Sequence, residues 1–198
     1  MDEYKTLKEI SQGLYKEKGS KFIAIATPAA SLDEVRQQLE MLHKRYHDAR
    51  HHCYAYRLGE EPYTIRYNDD GEPSGTAGKP IFGQIQSFGL TNVLIVVIRY
   101  FGGVKLGTGG LIQAYRTAAK DAIENGTIIS KIWTARLEIR FNYLQMNDVM
   151  HIIKEENLRI LDQDSGEQSS ILLEIRKGNL EAVMRKFSSL EIVKCAVI

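Results

Sequence analysis

The segment from Val93 to Arg99 is apolar at nearly every position, and this pattern restricts the fold more than any other part of the sequence. A strand with one solvent-exposed face alternates apolar and polar residues, whereas a continuous aliphatic run is typical of a strand covered on both faces. The chain must therefore supply a layer on each side of the sheet. The longest aliphatic run of the sequence, Val93 to Ile98, is also far shorter than the roughly 20 apolar residues that cross a bilayer, so we expect no membrane segment.

Capping residues and helical spacing predict two long helices close to this strand. Ser31 and Glu34 have the spacing of a capping box, and Asn125-Gly126 is typical of a helix end. Apolar residues recur at helical spacing after the capping box and before Asn125-Gly126. The predicted helices run from about Leu32 to His47 and from Leu111 to Glu124, and the predicted strands beside them run from Lys21 to Thr27 and from His52 to Leu58.

From Ile132 onward the apolar spacing predicts the order strand, helix, strand, strand, helix, strand. The two helices carry matching apolar stripes, so each can cover one half of a four-stranded sheet, and a ferredoxin-like βαββαβ domain is the natural closure. The predicted fold class is therefore α+β, with one domain over residues 1–130 and a second over residues 131–198. The predicted strands of the second domain lie near Trp133–Phe141, Leu158–Asp164, Ser170–Lys177 and Ile192–Ile198.

Composition excludes several classes of protein. The chain carries a formal net charge of +1, so a nucleic-acid surface would have to come from local clustering of positive charge. Cys53 and Cys195 lie far apart without a CxxC spacing, which argues against a disulfide framework and a zinc finger. The first twenty residues mix both charge signs and contain no apolar stretch of signal-peptide length, so we expect a cytoplasmic protein.

Ten of the sixteen glycines fall between Gly71 and Gly110, and two glycine-rich segments hold most of them. The first, DDGEPSGTAGKP, is predicted to be an ordered loop that leads into a short helix beginning near Gly78. Its acids Asp69, Asp70 and Glu72 either face water or hold a hard cation, and facing water is the commoner outcome in a turn. Glycine is favoured where φ is positive or where the backbone approaches another group closely.

The second segment, RYFGGVKLGTGG, follows the buried strand and opens a helix. Amides at a helix start form a concavity suited to an anion, and Lys105 and Arg99 add positive charge nearby. Close packing of the helix on a strand explains the glycines equally well. The spacing matches neither the phosphate loop nor the dinucleotide fingerprint, so a nucleotide hydrolase or a Rossmann enzyme is not supported. The residues of this candidate anion loop are Gly107, Thr108, Gly109 and Gly110.

Histidines and cations crowd the predicted passage from the first helix into the next strand. The cluster has ligand types that zinc accepts, but Lys44 stands where a zinc-protease motif has its glutamate, and the neighbouring arginines oppose a cation. Two interpretations stay open, a basic strip that meets phosphates and a solvated rim. Aromatic and basic residues also interleave through this half of the chain, as in stacking platforms for unpaired bases. The strip consists of His43, Lys44, Arg45, His47, Arg50, His51 and His52.

Three motifs together resemble the signature of the YigZ/IMPACT family: HHCYAYR (His51–Arg57), YNDDGEPSGTAGKPI (Tyr67–Ile81) and VVIRYFGGVKLGTGGLIQAY (Val96–Tyr115). The resemblance covers about the first 125 residues and implies a compact bacterial, two-domain member. It further implies that the first domain is similar to a ribosomal small-subunit protein and to domain IV of elongation factor G, and the second to domain V of that factor. Both are RNA-facing folds, and eukaryotic relatives regulate translation.

The favoured hypothesis is a non-enzymatic protein that binds RNA or the ribosome and regulates translation, without cofactor, metal or catalytic residues. A small-molecule enzyme or phosphoanion-binding protein using the two glycine-rich loops is the alternative, and an adaptor that binds a protein partner is a third hypothesis. A protein partner that is still pulled down after nuclease treatment would distinguish the adaptor from an RNA-binding protein. The expected contacts to phosphate or nucleic acid are Arg50, His51, Lys79, Arg99, Lys105 and Arg116, with Tyr100 as a stacking platform.

Overall fold

The computed structural model describes residues 2–166, 168–190 and 194–197, which form two compact α+β units. The larger unit runs from Tyr4 to Lys131, and the smaller one holds the residues from Ile132 onward together with Asp2 and Glu3. The elements of the larger unit, which overlap its boundary by one residue at each end, are β1 (Glu3–Leu7), β2 (Ser11–Glu17), β3 (Ser20–Pro28), α1 (Leu32–Arg45), β4 (His51–Leu58), β5 (Thr64–Asn68), α2 (Gly78–Ser87), β6 (Val93–Tyr100), α3 (Gly107–Glu124) and β7 (Ile128–Ile132).

The apolar strand β6 lies at the centre of a five-stranded sheet with the order β2-β3-β6-β4-β5. Its neighbours β3 and β4 both pair with it antiparallel. Val93, Ile95 and Val97 pack with residues of α2 and α3, whereas the alternate positions, including Leu94 and Val96, pack with α1. The strand is thus covered on both faces, as its sequence predicts. Strand β1 pairs separately with β7.

Helix α3 lies very close to β2, and a glycine makes this approach possible. A Cβ at Gly13 would meet the backbone of Ala122 in α3. The same helix begins at Gly107, four residues earlier than the predicted start at Leu111, because the glycine-rich segment itself forms its first turn. Helix α1 ends at Arg45, two residues before the predicted end, with Tyr46 as its C-cap.

The smaller unit has the predicted strand and helix order. Its four-stranded antiparallel sheet has the order β11-β8-β10-β9, and apolar residues of its strands pack with Val149, Ile153, Val183 and Phe187 on the helices. Of the predicted last strand, Ile192, Val193 and Ile198 lie outside the described residues. The elements are β8 (Thr134–Asn142), α4 (Met146–Glu155), β9 (Arg159–Asp164), β10 (Gln168–Arg176), α5 (Leu180–Ser188) and β11 (Lys194–Val197).

Asp2 contributes to the smaller unit through hydrogen bonds. Its Oδ2 accepts from Nε of Arg176 at 2.9 Å and from the backbone N–H of Gly178 at 3.1 Å, and its carbonyl oxygen accepts from the N–H of Trp133 at 2.7 Å. The sequence pattern does not predict this grouping, because the contact to Arg176 joins residues 174 positions apart. Among the residues described, every helix is too short or too polar to span a bilayer.

Candidate functional site

Asp69 folds the first glycine-rich segment around its own carboxylate. Oδ1 accepts from the N–H groups of Ala77 at 3.0 Å and Gly78 at 2.8 Å, and Oδ2 accepts from Gly75 at 2.8 Å. These amides belong to the end of the loop and the start of α2, which has no side-chain cap at its N-cap residue. The carboxylate therefore satisfies the first amides of α2 from outside the helix and closes the loop.

Asp70 attaches the same loop to the start of β4. Its Oδ2 accepts from the backbone N–H of His52 at 2.6 Å, and its carbonyl oxygen lies 2.7 Å from Nδ1 of His51. The carboxylates of Asp69 and Asp70 are thus engaged by amides of the protein. Over the ranges that the structure describes, no group of three or more His, Cys, Asp or Glu side chains has an arrangement suited to a metal ion.

Glu72 is turned inward beneath the loop. Its Oε1 accepts from Nη1 of Arg99 at 2.6 Å and from the hydroxyl of Tyr115 at 2.7 Å. The Cys53 thiol lies 3.3 Å from the Tyr115 hydroxyl and 2.9 Å from the carbonyl oxygen of Asp69, so its one proton is shared between these two acceptors. Burial raises the pKa of both Tyr115 and Cys53 far above their ordinary values. Four polar groups of the core thereby form one hydrogen-bonded network, and the thiol is held protonated within it.

A cavity of about 460 Å³ opens above this network and collects residues from β4, both glycine-rich segments and α3. Arg50 and Lys105 are exposed at it, and Phe101 is 52% exposed. Helix α3 begins here with no side-chain cap and no acidic residue in its first turn. Its lining residues are Arg50, His51, Glu72, Pro73, Arg99, Phe101, Lys105, Leu106, Gly107, Thr108 and Leu111.

Arg99 is the buried member of this set, with a side chain 7% exposed. Position 99 continues the face of β6 that carries Val97, so its side chain runs under the loop towards α3. Its guanidinium carbon lies 5.4 Å from the centre of the Phe22 ring and 5.6 Å from that of Phe101. Within the described residues its Nε atom has no hydrogen-bond partner. The guanidinium thus lies within 6 Å of two aromatic rings beside the cavity, and its buried Nε donor is unused.

The cavity brings together six of the residues expected at the site and leaves five outside its lining. Lys79 and Arg116 are exposed on α2 and α3. Tyr100 donates its hydroxyl to Asp48 at 2.7 Å, and this hydrogen bond raises the pKa of Tyr100 to about 12. The residues inside are Arg50, His51, Arg99, Lys105, Gly107 and Thr108, and those outside are Lys79, Tyr100, Gly109, Gly110 and Arg116.

Five residues of the cavity wall are not among the contacts predicted from the sequence, and two of them, Glu72 and Phe101, carry the chemistry described above. The sequence predicts a Glu72 that faces water or holds a cation, and it places Phe101 only within the interleaving of aromatic and basic residues. The signal for Phe101 is its place directly after a buried strand and before Gly102-Gly103, where a large apolar side chain has no core to enter. No local signal identifies Glu72, because its partners lie 27 and 43 positions away.

Comparisons with known proteins agree on one family. The profile of the Impact N-terminal domain matches residues 18–123. The IMPACT family member YigZ of Escherichia coli is 31% identical over 160 residues, which are 80% of this chain and 78% of that protein. An IMPACT family member of Thermus thermophilus is 37% identical over 139 residues, 70% of this chain and 74% of that protein. A crystal structure of a hypothetical protein aligns at 25% identity with a TM-score of 0.76, covering 100% of this chain and 98% of that one.

Proposed function

The chain belongs to the IMPACT family, and from this premise we propose that it regulates translation by binding RNA, either ribosomal RNA or another structured RNA. One observation carries the proposal. Arg50 and Lys105 stand exposed at the same cavity as the uncapped start of α3 and the ring of Phe101. Cations and free helix amides bind phosphate, and an exposed ring stacks on an unpaired base.

The electrostatics of the cavity favour an anion. The buried charge of Glu72 is balanced by Arg99, so Arg50 and Lys105 add two positive charges that no acid lining the cavity offsets. The amides at the start of α3 add the positive end of an 18-residue helix. A volume of about 460 Å³ lies within the range of small-ligand sites and accommodates one nucleotide unit of a longer strand.

The proposal includes the finer expectations that the family resemblance raised. We infer that the two units are similar to domains IV and V of elongation factor G, which supports an RNA-facing role by analogy of fold. We propose further that the protein acts in the cytoplasm. The exposed residues Lys79 and Arg116, with the half-buried Tyr100, extend the proposed contact beyond the cavity, along α2, α3 and the end of β6.

Binding to ribosomes and to purified ribosomal RNA, measured across a salt series, tests the proposal. We expect the logarithm of affinity to fall linearly with the logarithm of salt concentration, because phosphate contacts release counterions. Arg50→Glu with Lys105→Glu should weaken binding and flatten that slope. Lys154→Glu, an exposed lysine on α4, is the control for a change of charge alone. Unchanged affinity and slope in the doubly substituted protein would refute binding at the cavity.

Lys79→Glu with Arg116→Glu measures how far the interface extends. Both side chains are exposed and neither lines the cavity. A weakening comparable to that of the Arg50 and Lys105 variant would support a broad face, and no effect would confine the contact to the cavity. Circular dichroism and the melting temperature of every variant show whether it is folded.

A small phosphorylated ligand is the second candidate function, favoured by the unused Nε of buried Arg99 beside the cavity. A thermal-shift screen with nucleotides and phosphosugars separates it from RNA binding. A ligand at a hundred times its dissociation constant stabilises the protein by about 2.7 kcal/mol. A shift with a small compound, together with no affinity for RNA, would replace the first candidate with the second.

A further inference from the structure

The ring of His51 has one nitrogen committed to the protein. Nδ1 lies 2.7 Å from the carbonyl oxygen of Asp70. A carbonyl oxygen only accepts hydrogen bonds, so Nδ1 carries the proton. A neutral imidazole has one N–H, and Nε2 is therefore left with its lone pair as a hydrogen-bond acceptor. The contact selects the Nδ1–H tautomer of the neutral ring, and its acceptor is held in place because Asp70 is itself tied to β4 through the N–H of His52.

The Nε2 edge of His51 has no hydrogen-bond partner among the described residues. Oε1 of Glu72 is 4.0 Å away, which is beyond hydrogen-bond distance, and it already accepts from Arg99 and Tyr115. The His51 side chain is 22% exposed and lines the cavity. An acceptor thus faces the cavity without a donor from the protein, next to the cation of Arg50, its neighbour in the chain.

This pairing of an acceptor with cations suits a ligand that carries a hydroxyl group close to a phosphate. The cations and the amides at the start of α3 bind the phosphate, and Nε2 accepts a hydrogen bond from the hydroxyl group. In nucleic acids, the 2′-hydroxyl of ribose lies beside the 3′-phosphate, and deoxyribose lacks it.

We propose that His51 makes the cavity selective for ribose, with Nε2 accepting a hydrogen bond from a 2′-hydroxyl adjacent to a bound phosphate. This inference rests on the proposed function, since it assigns the sugar of the same polynucleotide ligand. It assigns to His51 a role different from the phosphate contact that the sequence suggested. One net hydrogen bond corresponds to a preference of about fivefold to tenfold for RNA over DNA.

Four single-stranded oligonucleotides of one sequence test the inference with the intact protein, by fluorescence anisotropy at fixed salt. They carry ribose, deoxyribose, 2′-fluoro or 2′-O-methyl sugars. The 2′-fluoro sugar keeps a ribose-like shape but has no hydroxyl to donate. We expect RNA to bind about fivefold to tenfold more tightly than the other three. A 2′-fluoro strand that binds as tightly as RNA would overturn the inference, because sugar shape would then explain the preference.

Two conservative substitutions separate the nitrogens of His51. In His51→Asn the side-chain amide can still donate to the carbonyl of Asp70, but no atom replaces Nε2, so the RNA preference should disappear while DNA affinity stays within about twofold. In His51→Gln the amide oxygen can reach the Nε2 position, and part of the preference should return. A preference retained in full by a folded His51→Asn protein would overturn the inference.

The two proposals fail in different ways. If the parent protein binds none of the four oligonucleotides and no ribosomal RNA, the proposed function fails and the inference fails with it. If all four bind equally and Arg50→Glu with Lys105→Glu abolishes binding, the cavity is a polynucleotide site and only the selection of ribose is refuted. Melting temperatures of the His51 variants show whether the loop contact to Asp70 is retained.

Discussion

Arg99 and Glu72 form an ion pair of 2.6 Å in which the side chains are only 7% and 4% exposed. The pair lies below the candidate cavity, and its oxygen Oε1 also holds the hydroxyl of Tyr115 from α3. The pair therefore ties the glycine-rich loop, the central strand and a helix together by one carboxylate. Its two charges cancel, so the positive character of the cavity depends on exposed residues above it.

Removing one partner of this pair is expected to be costly. Glu72→Leu leaves the guanidinium of Arg99 buried without a counter-charge, and each single substitution, Glu72→Leu or Arg99→Met, should lower the free energy of unfolding by about 3–5 kcal/mol. The double substitution removes both charges and should cost less than the sum. Urea unfolding of the four proteins measures this coupling. Strictly additive costs would show that the pair is not energetically linked.

Gly109 lies in the first turn of α3, where a Cβ would meet nothing within 4 Å. Gly109→Ala should therefore stabilise the protein, by up to about 1 kcal/mol, because alanine favours the helix. The added methyl group should at the same time weaken ligand binding about fivefold by obstructing close approach to the helix amides. Thermal unfolding and the RNA titration measure the two effects.

Gly83→Ala in α2 is the matched control for Gly109→Ala. A Cβ at Gly83 also meets nothing within 4 Å, and the residue lies in α2, away from both the cavity lining and the first turn of α3. The control should gain similar stability and bind RNA like the parent. Equal binding by both alanine variants would contradict a role for the start of α3 in ligand contact.

His52 gives the fold a dependence on pH. Burial, assisted by the neighbouring His43 ring at 4.0 Å, holds the pKa of His52 below its ordinary value. Below about pH 6.5 the unfolded chain therefore takes up a proton that the folded chain does not, and the free energy of unfolding should fall with decreasing pH, by up to about 1.4 kcal/mol per pH unit.

His52→Phe keeps a ring in the core and should flatten this dependence, whatever its effect on stability at neutral pH. His47→Phe, at an exposed position, is the control and should leave the slope unchanged. Chemical denaturation at intervals from pH 5 to pH 8, a window of about 1.5 units on either side of the ordinary histidine pKa, provides the comparison. Equal slopes for the parent and His52→Phe would show that another group titrates.

Asp69 should be among the most sensitive polar residues of the loop. Asp69→Ala leaves the amides of Gly75, Ala77 and Gly78 without their acceptor. Hydrogen bonds to a charged group contribute about 1.5–3 kcal/mol each, so we expect a loss of at least about 2 kcal/mol. Asp69→Asn retains one acceptor oxygen and should lose less. Faster amide hydrogen exchange confined to these three residues would link the loss to the loop, and protection like that of the parent would contradict it.

Periodicity predicts the elements of this fold wherever the apolar pattern is strong. The buried strand β6, the helix α1 and the order of the smaller unit all follow from it. Strands β1, β2 and β5 escape prediction because their exposed positions interrupt the pattern; in β5, four of five residues are exposed. These strands form because they pair with strands elsewhere in the chain, and the local spacing of apolar residues does not predict such pairing.

The site was predictable as a set of residue types and not as a set of roles. Asp69, Asp70 and Glu72 stand within four positions and have the same chemistry, yet one closes a loop, one holds a strand and one pairs with a buried arginine. Their roles depend on β4 and β6 being neighbours in the sheet, which is a long-range property. Arg50 and Lys105 could be identified from the sequence because an exposed cation acts without a partner from a distant part of the chain.

The contact between Asp2 and Arg176 also constrains how the protein is made. The two residues are 174 positions apart, and a ribosome adds roughly 5–20 residues per second, so Arg176 is synthesised roughly 9–35 s after Asp2. The smaller unit therefore cannot complete its hydrogen bonds until most of the chain has left the ribosome.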